Sequence, residues 1–492
     1  MSETLATNED AMEMRSWIDG AWAGSGPRDE SIEPATGMVL GAFRTATEAD
    51  GVTAIAAARR AFDMTSWSRD APRRAEVLLE LADRLTTHQN DLAMMLAREN
   101  GKLLSEARGE VAMSIETVRI NAARARLQMY GQSIEQSPGV YWHNAPEPLG
   151  VAGVISPWNG PLLLSLRSIA PALAAGCTVV AKMPAQTALT AGLLVTAISE
   201  TTSIPPGVVN VLIESGNAVA PLLVTSPDID VLSYTGSTHV GRIIAASAAP
   251  TVKRLSLELG GKTPLLVMDD ADIDRIVPTI VRSATFMNGQ YCGTGARVLV
   301  QRAVADHLRD ALTTAISNVV IGRPEDSTTE LGPLIDKAAA KRVDGIVARA
   351  EGYATVLVRG GIPSEPAYAS GAFFRPALVE VSDVRAPIVQ SEVFGPVQTF
   401  EVFDTEADAI RMANATEYGL AAAVFSRDDL RARRIGRELR VANVWINNFG
   451  IPTQMMTAEP VKQSGYGSTA GPMAVETYQY LKRYGTAELR LS

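Results

Sequence analysis

The chain has 492 residues, 46% hydrophobic and 20% charged, a balance that suits a globular protein with at least two packed units. Its 45 basic and 54 acidic residues leave a net charge of −9 with no dense basic block, which argues against nucleic acid as a partner. No apolar run reaches the ~18 residues of a membrane span; two cysteines are too few for a disulfide framework, and four scattered histidines lack metal-ligand spacing, so no membrane and no metal are expected and the setting reads as reduced and cytoplasmic.

Met1 to Met12 is polar and acidic and lacks the apolar core of a secretory signal. After a short β-rich start, Thr47 followed by Asp50 reads as a capping box opening a helix through Ala61, with Val52, Ile55 and Phe62 on one side. Pro72 suits the first turn of another helix. Its apolar face would be Leu78, Leu81, Leu85 and Leu92, and Gly101 its stop. From Gly150 the rhythm changes. Apolar runs at Val151–Ile155, Cys177–Ala181, Val208–Ile213, Val231–Tyr234 and Leu255–Leu259 alternate with helical stretches at Leu162–Ala175, Ala188–Thr202, Ala218–Thr225 and Val240–Ala249. Strands apolar on both faces, alternating with helices, predict a parallel sheet covered on both sides. A second α/β region follows, with strands at Thr263–Met268, Arg297–Val300, Ala377–Val381 and Val397–Val402. Gly360–Pro366 reads as a surface loop, and the tyrosine-rich tail Thr477–Arg483 suits packing against a partner.

Open parallel sheets bind ligands beyond the carboxyl ends of their strands, so the polar residues following each run are candidates. After Ile155 comes Ser156-Pro-Trp-Asn159, with Pro161 opening the next helix; Asn159 either caps that helix or donates to a developing oxyanion. Lys182 ends the next run and could meet a ribose hydroxyl or a phosphate, or simply face solvent. Gly236-Ser237 forms a glycine turn feeding a helix amino terminus, a phosphate-binding geometry, although the G-x-G-x-x-G fingerprint is absent. Glu258 ends an apolar strand and is either a general base with a raised pKa or the ion-pair partner of Lys262. Cys177 lies among apolar residues and reads as inert core. Cys292 lies in the glycine-rich loop Phe286–Gly295, where a thiolate can be accessible.

Six motifs occur in one order: Pro157-Trp-Asn159, Tyr234-Thr-Gly-Ser237, Leu257-Glu-Leu-Gly-Gly-Lys262, Asn288-Gly-Gln-Tyr-Cys292, Glu392-Val-Phe-Gly-Pro396 and Asn414…Tyr418-Gly-Leu420. With them the chain resembles the aldehyde dehydrogenase superfamily from Ile18-Asp-Gly20 and Pro34-Ala-Thr-Gly37 to Lys462-Gln-Ser-Gly465. The resemblance implies an α/β fold with a Rossmann-like NAD(P) domain (1–126 and 149–258), a catalytic domain (259–456), and a β oligomerisation arm with the tail (127–148 and 457–492), assembling as a homodimer or homotetramer. It implies Cys292 as nucleophile, Glu258 as base for the deacylating water, and Asn159 with the Cys292 N–H as oxyanion hole. The implied cofactor surface is Ser156, Trp158, Lys182 at the adenosine ribose, Ala185, Gly236, Ser237 at the pyrophosphate, Leu259, Glu392 at the nicotinamide ribose and Phe394 beside the ring. Gly160, Leu163, Leu164, Arg167, Tyr291 and Phe449 are the implied substrate residues.

The side chains suit this chemistry on their own terms. Thiolate attack makes an aldehyde carbon tetrahedral, fixed donors hold the alkoxide, and the thioester left after hydride loss needs a base. Departures from the family pattern bear on specificity. NAD-preferring members often carry glutamate three residues after the ribose lysine, where this chain has Ala185; both NAD and NADP are therefore expected to work. Thr457-Ala-Glu-Pro460 replaces the family's Pro-Phe-Gly-Gly. Gly160 and Arg167 stand at commonly aromatic positions. Gly160, Leu163, Leu164 and Arg167 share one helical face. Arg167 either pairs with an acidic residue of a neighbouring segment or meets a bulky or aromatic aldehyde bearing an acidic or hydrogen-bond-accepting group. A CoA-acylating semialdehyde dehydrogenase generally lacks the glutamate found here as Glu258, and an inactive scaffold would have no use for Cys292, Glu258 and Asn159 together.

Overall fold

The computed structural model describes residues 13–127 and 131–487. The Met1–Met12 segment lies outside them, as do residues 128–130 and 488–492 of the expected arm and tail. The alternation after Gly150 builds one sheet whose central strands are parallel, in the spatial order Arg254–Glu258, Val231–Thr235, Val151–Ile155, Thr178–Pro184, Val209–Glu214. Three of these strands, Val151–Ile155, Val209–Glu214 and Val231–Thr235, are buried at every residue, which is why they read as continuous apolar runs. The chain runs outward from Val151–Ile155 in one direction, then returns to lay Val231–Thr235 on its other side. The sheet therefore has a switch point between these two strands, and their carboxyl ends open the crevice where ligands bind in such folds. Antiparallel strands extend the edges: Ser16–Ile18 and Ala21–Ala23 on one side, Gly465–Tyr466 on the other.

A second sheet has the order Thr355–Val358, Ala377–Glu380, Val397–Phe403, Gly295–Gln301, Thr263–Val267, Ala421–Phe425, Asn443–Ile446, parallel except at Thr355–Val358. A third is the antiparallel set Ser133–Ser137, Val140–Pro148, Gln479–Ala487. Among the described residues from 457 onward, only this last strand enters the arm. Val461–Lys462 pairs with Tyr418–Gly419, Gly465–Tyr466 joins the first sheet, and Tyr478 is buried in the first core.

Two helical expectations are corrected. Thr47 and Asp50 do form the capping box of helix Glu48–Met64, but its buried face is Gly51, Ala54, Ile55, Ala57, Ala58 and Ala61, while Val52 is 55% exposed. Small residues let this helix lie close on the sheet, and that decides the face over side-chain size. The single helix expected from Pro72 to Gly101 is two, Ala71–Thr87 and Gln89–Asn100, meeting at His88. No glycine or proline marks the bend; His88 leaves helical geometry and sets Nε2 2.8 Å from the Glu200 carboxylate. Gly101, at φ +85°, ends the second helix. Among the described residues no helix is long and apolar enough to cross a membrane, and no cluster of His, Cys, Asp or Glu could hold a metal ion.

Candidate active site

Cys292 lies half-buried just ahead of the strand Gly295–Gln301, whereas Cys177 is fully buried. The loop carrying Cys292 is bent by Met287 and Asn288, at φ +50° and +58°. Such left-handed, non-glycine positions cost of order 1–3 kcal/mol each and persist only when their surroundings fix them. Here Met287 N donates to Glu106 at 3.2 Å, and Asn288 Nδ2 donates to the carbonyls of Gly101 and Pro333, both at 2.8 Å. Asn288 Oδ1 accepts from Gly332 N at 2.9 Å, and Gln290 Oε1 from Ile335 N at 3.0 Å. The loop is thus held from several distant segments at once.

Asn159 is not a helix cap. Gly160 occupies the N-cap of helix Pro161–Ala175, without a side-chain capping bond. The Asn159 amide instead donates to the carbonyl of Gln290 at 2.9 Å, two residues from Cys292. An amide nitrogen has two protons, so one remains for another acceptor. Asn159 O accepts from Lys102 Nζ at 2.7 Å, and Lys102 is paired with buried Glu110. Glu110 Oε1 accepts from Leu162 N and Leu163 N, and Asn100 Nδ2 donates to Trp158 O at 2.7 Å. Sequence reasoning missed these supports. Lys102, Glu106 and Glu110 recur every four residues and all point inward, which was the available signal.

Glu258 ends its strand at 8% exposure. The alternative ion pair with Lys262 is not formed: Lys262 Nζ is buried with no hydrogen-bond partner. Arg167 stands there instead, its Nη2 3.7 Å from Glu258 Oε2, while Thr469 Oγ1 donates to Oε1 at 3.1 Å. Burial raises the Glu258 pKa above the ordinary carboxylate range, with Arg167 and then Thr469 opposing it. Arg167 shares with Leu163 and Leu164 the part-exposed stripe of a helix otherwise buried. A Cβ on Gly160 would lie 3.1 Å from Leu164 Cγ and 3.8 Å from Met287 Cε, so Gly160 sits between this stripe and the Cys292 loop.

Burial pushes the Cys292 thiol up to about 12; Arg167 pulls it down, Glu258 and Glu392 push it further up, and the Gly293 N–H pulls it down. Three charged side chains from three segments therefore act on one sulfur. Tyr291 packs edge-on against Phe286 at 5.4 Å, and burial with the neighbouring Cys292 raises its phenol. Phe449 is the last of the predicted substrate residues. It packs on Trp445 at 5.1 Å, against the core of the second sheet.

The remaining predicted residues line the carboxyl ends of the first sheet. Ser156 N donates to Lys182 O at 3.1 Å, Ile155 stands opposite Lys182 in register, and Ala185 directly follows that strand. Gly236 N donates to Glu258 O at 3.0 Å, and a Cβ at Gly236 would come within 2.2 Å of the Tyr234 hydroxyl, so only glycine fits this turn. Ser237 caps helix Thr238–Ala248, its Oγ accepting from Val240 N at 3.3 Å. Leu259 N donates to Ser464 O at 2.9 Å, tying the Glu258 turn to the Lys462–Gly465 segment. Glu392 Oε1 accepts from Gly261 N at 3.2 Å, and burial raises its pKa to about 7. Phe394, at φ +51°, meets Trp158 edge-on at 5.5 Å, with Arg342 donating to the carbonyls of Val393 and Phe394. A glycine turn at a helix amino terminus suits a pyrophosphate. Lys182 Nζ, with no acceptor in hydrogen-bond range among the described residues, and the ring pair beyond it complete a surface that fits a dinucleotide.

Residues 22–484 match the model of the Aldehyde dehydrogenase family. The chain is 34% identical over 475 residues to 3-sulfolactaldehyde dehydrogenase of Pseudomonas putida, covering 96% of each. It is 35% identical over 456 residues to succinate-semialdehyde dehydrogenase of Paenarthrobacter nicotinovorans, covering 92% of this chain and 99% of that one. The crystal structure of betaine aldehyde dehydrogenase from Staphylococcus aureus in complex with NAD+ superposes with a TM-score of 0.93 at 34% identity, over 97% of this chain and 96% of that one.

Proposed function

This chain belongs to the aldehyde dehydrogenase family and is an oxidoreductase acting on the aldehyde group; on that footing we propose that it oxidises an acid-bearing, bulky or aromatic aldehyde to the carboxylic acid through a thioester on Cys292. The observations that carry this reading are geometric: the Asn159 amide donates to the Gln290 carbonyl at 2.9 Å, two residues from Cys292, and Arg167 stands 3.7 Å from the Glu258 carboxylate. Attack by that sulfur makes the aldehyde carbon tetrahedral as a thiohemiacetal. The spare Asn159 amide proton and the Cys292 N–H offer fixed donors to its oxygen, and the Lys102–Glu110 pair keeps Asn159 from turning away. NAD, the ligand of the Staphylococcus aureus relative, supplies the hydride acceptor when bound. Ser156, Trp158, Lys182, Gly236, Ser237, Leu259, Glu392 and Phe394 would hold it. Glu258 then takes a proton from the water that cleaves the thioester, a task its raised pKa suits.

Two of the relatives are named for acid-bearing aldehydes and one for betaine aldehyde, so the family leaves the substrate's charge open. Arg167 decides it in this reading. Its Nε and Nη2 are buried without a hydrogen-bond partner, and an acidic group on the substrate would satisfy them. Gly160 borders the same stripe, where any added side chain would crowd Leu164. The third sheet, with Ile134, Tyr141 and Leu481 exposed, is the proposed contact between subunits of a homodimer or homotetramer. NADH formation from paired acid-bearing and neutral aldehydes, with and without CoA, tests the whole. Turnover independent of CoA and favouring the acid-bearing member supports it, and turnover that requires CoA overturns it.

A further inference from the structure

Ala185 leaves the ribose side of the cofactor surface without a carboxylate from its own loop. The neighbouring strand provides one. Glu214 ends Val209–Glu214, which runs parallel to Thr178–Pro184 with Glu214 opposite Pro184 and Leu212 opposite Lys182. Its Oε1 accepts from the N–H groups of Ala218 and Val219, fixing the carboxylate in place. Its Oε2 is buried, has no hydrogen-bond partner, and lies 3.9 Å from Lys182 Nζ. Burial lowers the Lys182 pKa, and the Glu214 carboxylate opposes that.

We propose that Glu214 is a positioning residue that sets the preference of this chain for NAD over NADP by neutralising Lys182 from behind. The inference rests on the cofactor surface proposed above. A lone lysine at a ribose would welcome a 2′-phosphate, because its ammonium is a point charge. Backed by a fixed carboxylate, the same ammonium remains a hydrogen-bond donor to a ribose hydroxyl, while the net field at that spot falls towards zero. A 2′-phosphate brings about two negative charges to within reach of Glu214 and finds no net cation to offset them. Both side chains are largely buried, at 15% and 1% exposure, so salt screens the effect weakly. Glu214 acts through Lys182 rather than by touching the nucleotide, since its free oxygen is enclosed.

The test is equilibrium binding of NAD and NADP, followed by quenching of tryptophan fluorescence, in the wild type, Glu214→Gln and Lys182→Met. Glutamine keeps the acceptor for Ala218 N and Val219 N and removes only the charge. The wild type should bind NADP at least about tenfold more weakly than NAD. In Glu214→Gln the NADP Kd should fall about five- to tenfold and the NAD Kd should stay within about twofold. Equal wild-type affinities overturn the proposal without recourse to a variant, as do parallel changes in both dinucleotides in folded Glu214→Gln. If Lys182→Met leaves both affinities unchanged, the placement of the cofactor at Lys182 fails, which is a separate result from failure of Glu214.

Discussion

Arg167 brings Nη2 to 3.7 Å from Oε2 of Glu258, while Thr469 donates to Oε1 at 3.1 Å. The arginine contact is longer than a hydrogen bond, and two of its nitrogens are unpartnered and buried. One cation therefore serves two anions in this account: the base when the site is empty, and the acid group of the substrate when it is full. Both readings open to Arg167 in the sequence are combined at this one side chain.

Replacing Arg167 with Leu should raise KM for acid-bearing aldehydes by about tenfold to a hundredfold, the worth of a hydrogen bond to a charged group. Above the acid limb of the pH profile, neutral aliphatic aldehydes of equal length should keep nearly the same KM. Steady-state kinetics on matched pairs measure this. If both members weaken alike, Arg167 is structural and the acid preference is withdrawn.

The same substitution should move a pH profile. Arg167 and Thr469 both lower the Glu258 pKa against burial. A base works only when ionised, so deacylation falls as pH drops through that pKa. Arg167→Leu and Thr469→Val should each shift the acid limb of deacylation to higher pH, read with a neutral aldehyde. A limb that stays put in both variants belongs to another group.

Glu258→Gln should slow deacylation more than acylation, because glutamine cannot accept a proton. Rapid mixing should show a burst of NADH followed by a slow steady state. Wild-type turnover without a burst would remove Glu258 from the reaction.

Lys102→Met leaves the Glu110 carboxylate buried without its cation, held only by the Leu162 and Leu163 N–H groups, a loss of up to about 3–5 kcal/mol in stability. It also frees the Asn159 carbonyl. Asn159→Ala, by contrast, should lower kcat by about a hundredfold to a thousandfold with little change in unfolding. Denaturation and kinetics on both variants separate the support from the donor. Equal stability loss in the two would merge their roles.

The parallel strands were legible because residues buried on both faces leave unbroken apolar runs, and the polar residues just past Ile155, Ala181, Tyr234 and Leu257 gave the crevice its position. Contacts between distant segments were not. Arg167 and Glu258 are 91 residues apart, Thr469 and Glu258 are 211, and no periodicity links them. Nothing in the sequence marks Glu214, just past the run Val208–Ile213, because the N–H groups that fix it come from the following turn. The bend at His88 lacks a breaker residue, and the burial of small alanines over Val52 follows from the closeness of the sheet. Asn159 was readable as special but not as tied to Gln290, since that bond spans 131 residues.

Cys292 as the point of covalent attachment is the claim on which the account turns. Glu258→Gln, mixed with aldehyde and NAD and quenched in acid at the burst, should yield an acyl adduct on the peptide containing Cys292 by mass spectrometry, with Cys177 unmodified. Cys177, unlike half-buried Cys292, is fully buried, with its sulfur donating to Tyr478 O at 3.4 Å. Cys292→Ala should form no adduct and no NADH while still binding cofactor. NADH formation by folded Cys292→Ala, or an adduct carried elsewhere, would contradict the account.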